Sequence, residues 1–282
     1  MAVFQIENEF LRVSVSQQGG NLTSVFDKKR EKELLWQGDP ATWKYQDVVI
    51  FPLIGMPSGG YEAKGETYQF RWAHGVARWE DFTVERQAPD ELVLVLTSNE
   101  ETLSRYPYEF CLRLHYKLKG RKYTLTYGVS SLTDEKIPYQ IGAHAGFSTA
   151  GDEVTVDFDG GQPVYQYPYC SVVQYPPRLL AEDGHLVLNK EVYERENSLV
   201  LPADGTTGCV VTRADGLKLH YTWQDATTLT IWGFSKGGRF LCVEPWWGIC
   251  ASGDTPREIT RKEQIFFAGK EEKRHTYSCE IE

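Results

Sequence analysis

Apolar residues recur at every second position along most of the chain. Phe110, Leu112, Leu114, Tyr116 and Leu118 fall on one face, and Cys111, Arg113, His115 and Lys117 on the other. After Lys119-Gly120 the pattern resumes with Tyr123, Leu125, Tyr127 and Val129. Leu217, Leu219, Tyr221 and Trp223 repeat it, as do Tyr277, Cys279 and Ile281. Successive strand side chains point to opposite faces, so strict alternation predicts half-buried strands. Between them, Gln18-Gly19-Gly20-Asn21, Asp159-Gly160-Gly161, Ala203-Asp204-Gly205 and Ala214-Asp215-Gly216 carry turn residues. Helical periodicity is poor. Asp27 to Leu35, rich in Lys and Glu, fits a short helix or a charged turn. The proline-rich stretch Gln162 to Arg178 holds too many aromatics for a linker and predicts a long ordered loop. No heptad, repeat or linker divides the chain. The prediction is one all-β domain over residues 1–282, a large antiparallel β-sandwich whose concave face suits an extended polar ligand.

Composition narrows the partners. The net charge of −9 disfavours nucleic-acid binding through a basic field. The longest apolar stretch, Val48 to Met56, is too short to span a bilayer, and Met1 to Phe10 carries two glutamates in place of a signal sequence. A cytoplasmic protein, free of membranes and acting as a monomer or homodimer, is expected. Six scattered cysteines without a CxxC pair predict buried free thiols rather than a disulfide framework. No zinc spacing, Walker loop, GxGxxG or GxSxG element is present, so no metal or cofactor is expected.

Three stretches combine a titratable group with turn residues and aromatics. In Leu241-Cys242-Val243-Glu244-Pro245-Trp246-Trp247-Gly248, a lone carboxylate separates an apolar run from two tryptophans. A residue before proline is pushed to extended geometry. This predicts the end of a buried strand with Glu244 at its rim. In Gln140-Ile141-Gly142-Ala143-His144-Ala145-Gly146-Phe147, small residues around His144 let a ligand approach. In Arg71-Trp72-Ala73-His74-Gly75-Val76-Ala77-Arg78-Trp79, period two puts Tyr68, Phe70, Trp72 and His74 on one face. Free Glu and His titrate near ~4.3 and ~6.5. A carboxylate beside the imidazole is expected to raise the histidine, giving a carboxylate base and an imidazolium acid.

At these stretches the chain resembles the aldose 1-epimerase (galactose mutarotase) family, in particular its LacX-like branch. Gly20-Asn21-Leu22-Thr23-Ser24-Val25 is similar to the family's GA-x-L-x-S-L hairpin. Phe51-Pro52-Leu53-Ile54-Gly55 resembles FP-x-x-G, and His74-Gly75-Val76-Ala77-Arg78 resembles HGFAR. Tyr106-Pro107-Tyr108-Glu109-Phe110 after Thr102 resembles T…YPFxF. Gly142 to Phe147 resembles GxHPAF, and Val243-Glu244-Pro245-Trp246 resembles EPW. The resemblance implies a β-supersandwich with a sugar on its concave face. It implies that Glu244 takes the proton of the anomeric hydroxyl, His144 protonates the ring oxygen, and His74 and Arg78 hold the sugar. By position, Trp246 and Trp79 would pack on it. Two departures stand beside these residues: Val76 replaces an aromatic, and Ala145-Gly146 replaces Pro-Ala, removing a proline that would stiffen His144. No matching motif carries the sugar-binding aspartate of the galactose branch. A hexose-6-phosphate 1-epimerase and a carbohydrate-binding or sensing protein without turnover remain alternatives. A glycoside hydrolase would want two carboxylates across the bond, and only Glu244 stands out.

Overall fold

The computed structural model describes residues 2–57, 59–167, 177–196, 198–203, 205–233, 237–250 and 256–282. Within it the alternating segments pair into a nine-stranded antiparallel sheet. Its order is His185–Asn189, Glu153–Phe158, Gly208–Thr212, Lys218–Trp223, Lys273–Ile281, Lys122–Ser131, Phe110–Lys119, Glu91–Thr97, Thr83–Ala88. The predicted inner face is buried: Tyr123, Leu125, Tyr127, Leu219, Tyr221, Tyr277, Cys279 and Ile281 are each at most 2% exposed. On the outer face Arg113 meets Glu85 and Glu272, and His115 meets Glu91.

A second sheet runs Leu199–Pro202, Thr228–Gly233, Phe240–Trp247, with Ile141–Gly142 and Gly146–Ser148 both on the far side of the last strand. Its back packs on the inner face of the large sheet. The Phe147 ring stacks on Tyr123 at 6.3 Å and meets Tyr221 edge-on at 6.2 Å, while Trp247 meets Tyr127 at 6.1 Å. An N-terminal sheet of Val3–Glu7, Leu11–Ser16, Leu22–Asp27 and Lys32–Glu33 adds Leu11, Val13, Val15 and Val25 to the same core. The all-β sandwich is thus observed.

Local expectations fare unevenly. The Asp27 to Leu35 stretch is a turn between two strands, not a helix. It closes on the buried Asp27 carboxylate, which accepts from the Lys29 and Arg30 backbones and from the Arg30 and Arg121 guanidiniums. The Gln162 to Arg178 loop is shorter than predicted, because Val164–Gln166 pairs with Arg178–Ala181; its residues 168–176, with Cys170, lie outside the described residues, as does Asp204. Cys111, Cys209, Cys242 and Cys279 are buried free thiols, but Cys250 is disulfide-bonded, against the expectation of free thiols throughout. Tyr68 to His74 do not share a face: the strand ends at Tyr68, Phe70 is 4% exposed and Trp72 64%. Beyond Tyr68 no ladder continues, and His74 and Gly75 turn the chain with φ of 76° and 82°. Among the described residues no helix is long and apolar enough to cross a membrane.

Candidate active site

All eight residues of Phe240–Trp247 are buried. Leu241, Val243 and Trp247 face the core, whereas Glu244 and Trp246 face a cavity on the other side. The neighbouring chain pairs with this strand twice, Ile141 with Trp247 and Gly142 with Trp246, then Gly146 with Cys242 and Phe147 with Leu241. Counting inward from either side sets His144 directly opposite Glu244. The ladder opens between because Pro245 has no N–H to return. Ala143 donates to the Pro245 carbonyl at 3.2 Å, and the Ala143 carbonyl takes the Trp246 indole N–H at 3.3 Å instead. Glu244 therefore lies in the interior of a strand, not at its rim. Proline is tolerated because its missing donor falls at the opening. Residues opposed without ladder bonds carry their side chains close together on one face. His144 Nδ1 stands 3.4 Å from Glu244 Oε1. Both side chains are buried, and Nδ1 and Glu244 Oε2 have no hydrogen-bond partner.

The pair looks into a cavity of ≈340 Å³, within the range of small-ligand sites. Thr230, across the strand from Glu244, adds a buried Oγ1 that is also unpartnered. Trp43, Trp232 and Trp246 give it aromatic walls. His74 and Arg78 line the opposite side, and the rings of His74 and His144 meet edge-on at 5.2 Å. His74 Nδ1 accepts the Gly55 N–H at 3.3 Å, which leaves the ring proton on Nε2. Burial, then the neighbouring His144 and Arg78, push the His74 pKa well below its usual value, so it is a neutral donor. The Arg78 guanidinium lies over Tyr45 at 4.7 Å and over Trp79 at 5.0 Å. Trp79 thus backs Arg78 and is not on the cavity wall. Of the six residues expected from sequence, the cavity brings together Glu244, His144, His74, Arg78 and Trp246. It adds Trp43, Tyr45, Thr230 and Trp232, which no motif singled out.

The electrostatics reverse the expected charge state. Burial pushes the Glu244 carboxyl well above its usual range, helped by the nearby Asp47 and opposed by the Trp246 indole. It also pushes His144 down to about 4. Desolvation outweighs the attraction that was expected to raise the histidine, so burial favours the neutral form of both groups. The Cys242 thiol is near enough that its Sγ and the His144 and Glu244 donors lie within 4.8 Å of one another. Burial raises that thiol well above its usual pKa, which keeps it protonated and weakens it as a metal ligand.

Behind the pair sits Asp47, 4% exposed. Its carboxylate accepts the Leu22 N–H at 2.9 Å and the Val48 N–H at 2.7 Å, and the His144 backbone supports it as well. Burial still pushes it from 3.8 up to about 6. Between those values the folded state holds a proton that the unfolded state has lost, so stability falls as pH rises. Urea unfolding is expected to show wild type losing about 3 kcal/mol relative to Asp47→Asn between about pH 4 and pH 6. Parallel pH profiles would count against this carboxyl. Asp47 heads the apolar run Val48 to Met56, the same signal that drew attention to Glu244. A larger groove, ≈760 Å³, lies on the outer face of the large sheet among Glu85, Arg113, Glu272 and Arg274. Its charges pair with one another, and it is remote from the buried pair.

The chain is similar to known proteins over most of its length. The family model for aldose 1-epimerase matches residues 2–252. The chromosomal protein LacX of Lactococcus lactis subsp. lactis is 28% identical over 282 residues, covering 93% of each chain. A galactose mutarotase related enzyme from Lactobacillus acidophilus superposes with a TM-score of 0.92 at 25% identity, over 100% of this chain and 97% of its own. A galactose mutarotase-like protein from Lactobacillus casei gives a TM-score of 0.91 at 22% identity, over 100% of both chains.

Proposed function

Because the chain belongs to the aldose 1-epimerase family, we propose that it interconverts the α and β anomers of a free sugar by acid–base ring opening. The reading rests on one observation above the others. His144 and Glu244 oppose each other across an opened ladder, 3.4 Å apart, with unpartnered polar atoms in a sugar-sized cavity. Anomer exchange removes a proton from the anomeric hydroxyl and delivers one to the ring oxygen, so a pair that shares one proton matches its stoichiometry. With the closed ring bound, Glu244 accepts from the anomeric hydroxyl and His144 holds the proton for the ring oxygen. Ring opening moves the anomeric proton to Glu244 and the imidazolium proton to the ring oxygen, leaving a protonated Glu244 and a neutral His144, the forms burial favours. Rotation about C1–C2 and reversal of both transfers close the other anomer. A hydroxyl donated to Glu244 replaces the hydration that burial removed. The cycle needs no cofactor.

Magnetisation exchange between the anomers of free hexoses and pentoses, with and without protein, tests the reading. No acceleration for any of them, together with thermal stabilisation by a sugar, would instead identify a sugar-binding protein. Arg78 has no carboxylate partner among the described residues and is the arginine on the cavity wall. It supports sugar binding through its donors. Arg78→Ala is expected to raise KM at least about 10-fold with a smaller change in kcat, the loss of a charged hydrogen bond. Equal losses in kcat and kcat/KM would move Arg78 into the chemical step. Phosphorylated hexoses are the second reading on the same residue. Arg71, however, is exposed and pairs with Glu101 at 3.2 Å, so one arginine alone would receive the phosphate. Glucose 6-phosphate is expected to be the poorer substrate, and a clear preference for it over glucose reverses the order.

A further inference from the structure

The chain from Trp36 to Gln46 straddles Gly146. The Trp36 backbone donates to the Gly146 carbonyl at 2.8 Å, and the Gly146 N–H donates to the Gln46 carbonyl at 2.9 Å. Between these two bonds the loop is tied to itself. The Trp43 carbonyl accepts the Asp39 N–H at 3.0 Å and the Trp36 indole N–H at 2.7 Å. This framework holds the Trp43 indole against the His144 imidazole, with ring centroids 5.3 Å apart and planes 22° apart. Phe240 stacks on Trp43 at 5.1 Å, and Trp232 meets Trp43 edge-on at 5.3 Å and His144 edge-on at 5.6 Å.

His144 needs such support. It sits where the ladder is open, and its Nδ1 makes no hydrogen bond. Ring packing is therefore what sets its angle. Gly146 makes that packing possible. A Cβ there would lie 2.6 Å from Trp43 Cζ3, a distance real carbons do not adopt. Gly146 is not among the positive-φ glycines, so it serves for space and not for backbone freedom.

We infer that Trp43 is the positioning residue for His144 and that Gly146 is the opening that admits it. The inference rests on the acid–base reading of His144. It also accounts for a departure in the sequence: where the family pattern puts Pro-Ala after the histidine, this chain has Ala145-Gly146. Stiffness moves from the backbone to a stacked ring. An indole face also tolerates the imidazolium that forms during the proton cycle.

Two variants reach the contact from opposite sides. Trp43→Leu removes the stacked face, and Gly146→Ala displaces the indole from a position that is not itself on the cavity wall. Both are expected to lower kcat for anomer exchange by about 10²-fold, the scale of a small misplacement of a catalytic group, a loss that exceeds the loss of sugar affinity expected because Trp43 also walls the cavity. Trp43→Phe keeps a stacked ring and is expected to recover most of the rate. A readout independent of turnover is the ring-proton NMR signal of His144, assigned by its loss in His144→Gln. It should carry a ring-current shift in wild type and Trp43→Phe, and lose it in Trp43→Leu and Gly146→Ala. Unmoved His144 signals in both variants overturn the inference, as does a loss of affinity with kcat intact. Signals that move as expected in a wild-type protein without turnover support the positioning role and instead overturn the epimerase reading.

Discussion

Glu244→Gln is expected to slow anomer exchange by about 10³-fold, within the 10²–10⁴ range of a general acid–base residue, and to leave the fold intact. The two halves have one cause. Glu244 is 1% exposed and burial raises its pKa well above the usual value, so the folded protein carries a carboxyl that is costly to ionise. Glutamine has the same shape and no charge to desolvate, so the melting temperature should hold or rise. Its amide cannot take the anomeric proton, and the pair with His144 loses its transferable proton. Exchange spectroscopy on a sugar that wild type turns over reads the rate, and calorimetry reads the stability. A variant that is destabilised and proportionately slow would make Glu244 a structural acid. An undiminished rate would remove it from the mechanism. A stable, sugar-binding, slow variant is the outcome the buried pair predicts.

Gly75→Ala is expected to cost about 3–5 kcal/mol of stability and to abolish sugar binding in what remains folded. A Cβ at Gly75 would stand 2.1 Å from the Phe51 carbonyl oxygen and 2.4 Å from its carbon, both backbone atoms. That oxygen accepts the Val76 N–H at 2.8 Å and the Ala77 N–H at 3.3 Å, and the Phe51 N–H donates to the His74 carbonyl at 3.3 Å. Moving Phe51 aside breaks the crossing that sets both His74 and Arg78 on the cavity wall. The positive φ adds its own strain of about 1–2 kcal/mol. Gly65→Ala is the control, since its φ is 83° but a Cβ there would meet nothing within 4 Å. It should cost only the backbone strain. Equal urea midpoints for the two variants would show that the clash is absorbed and that the crossing does not hold the site.

Much of the architecture is legible without coordinates. Alternation at Phe110 to Lys117, Tyr123 to Val129, Leu217 to Trp223 and Tyr277 to Ile281 assigns those strands and their inner faces, because a strand's period of two is a local property of the backbone. The same rule fails from Tyr68 to His74, where no partner strand continues the ladder. Five of the six candidate residues named by motifs line one cavity, whereas Trp79 stands behind Arg78. Asp47 was missed although it carries the same mark as Glu244, an acid beside an apolar run.

What the sequence by itself determined is the all-β class, the family pattern and two candidate groups for proton transfer. What only the tertiary structure decided is how they meet and in which state. The opposition of His144 and Glu244 follows from a register between segments a hundred residues apart, opened by a proline on the far strand. The shift of both groups toward their neutral forms follows from burial, which has no local signature. Trp43 reaches His144 only because a loop distant in sequence folds over Gly146. Strand pattern is encoded between neighbours along the chain, whereas register, desolvation and ring stacking exist only once the sheets have packed.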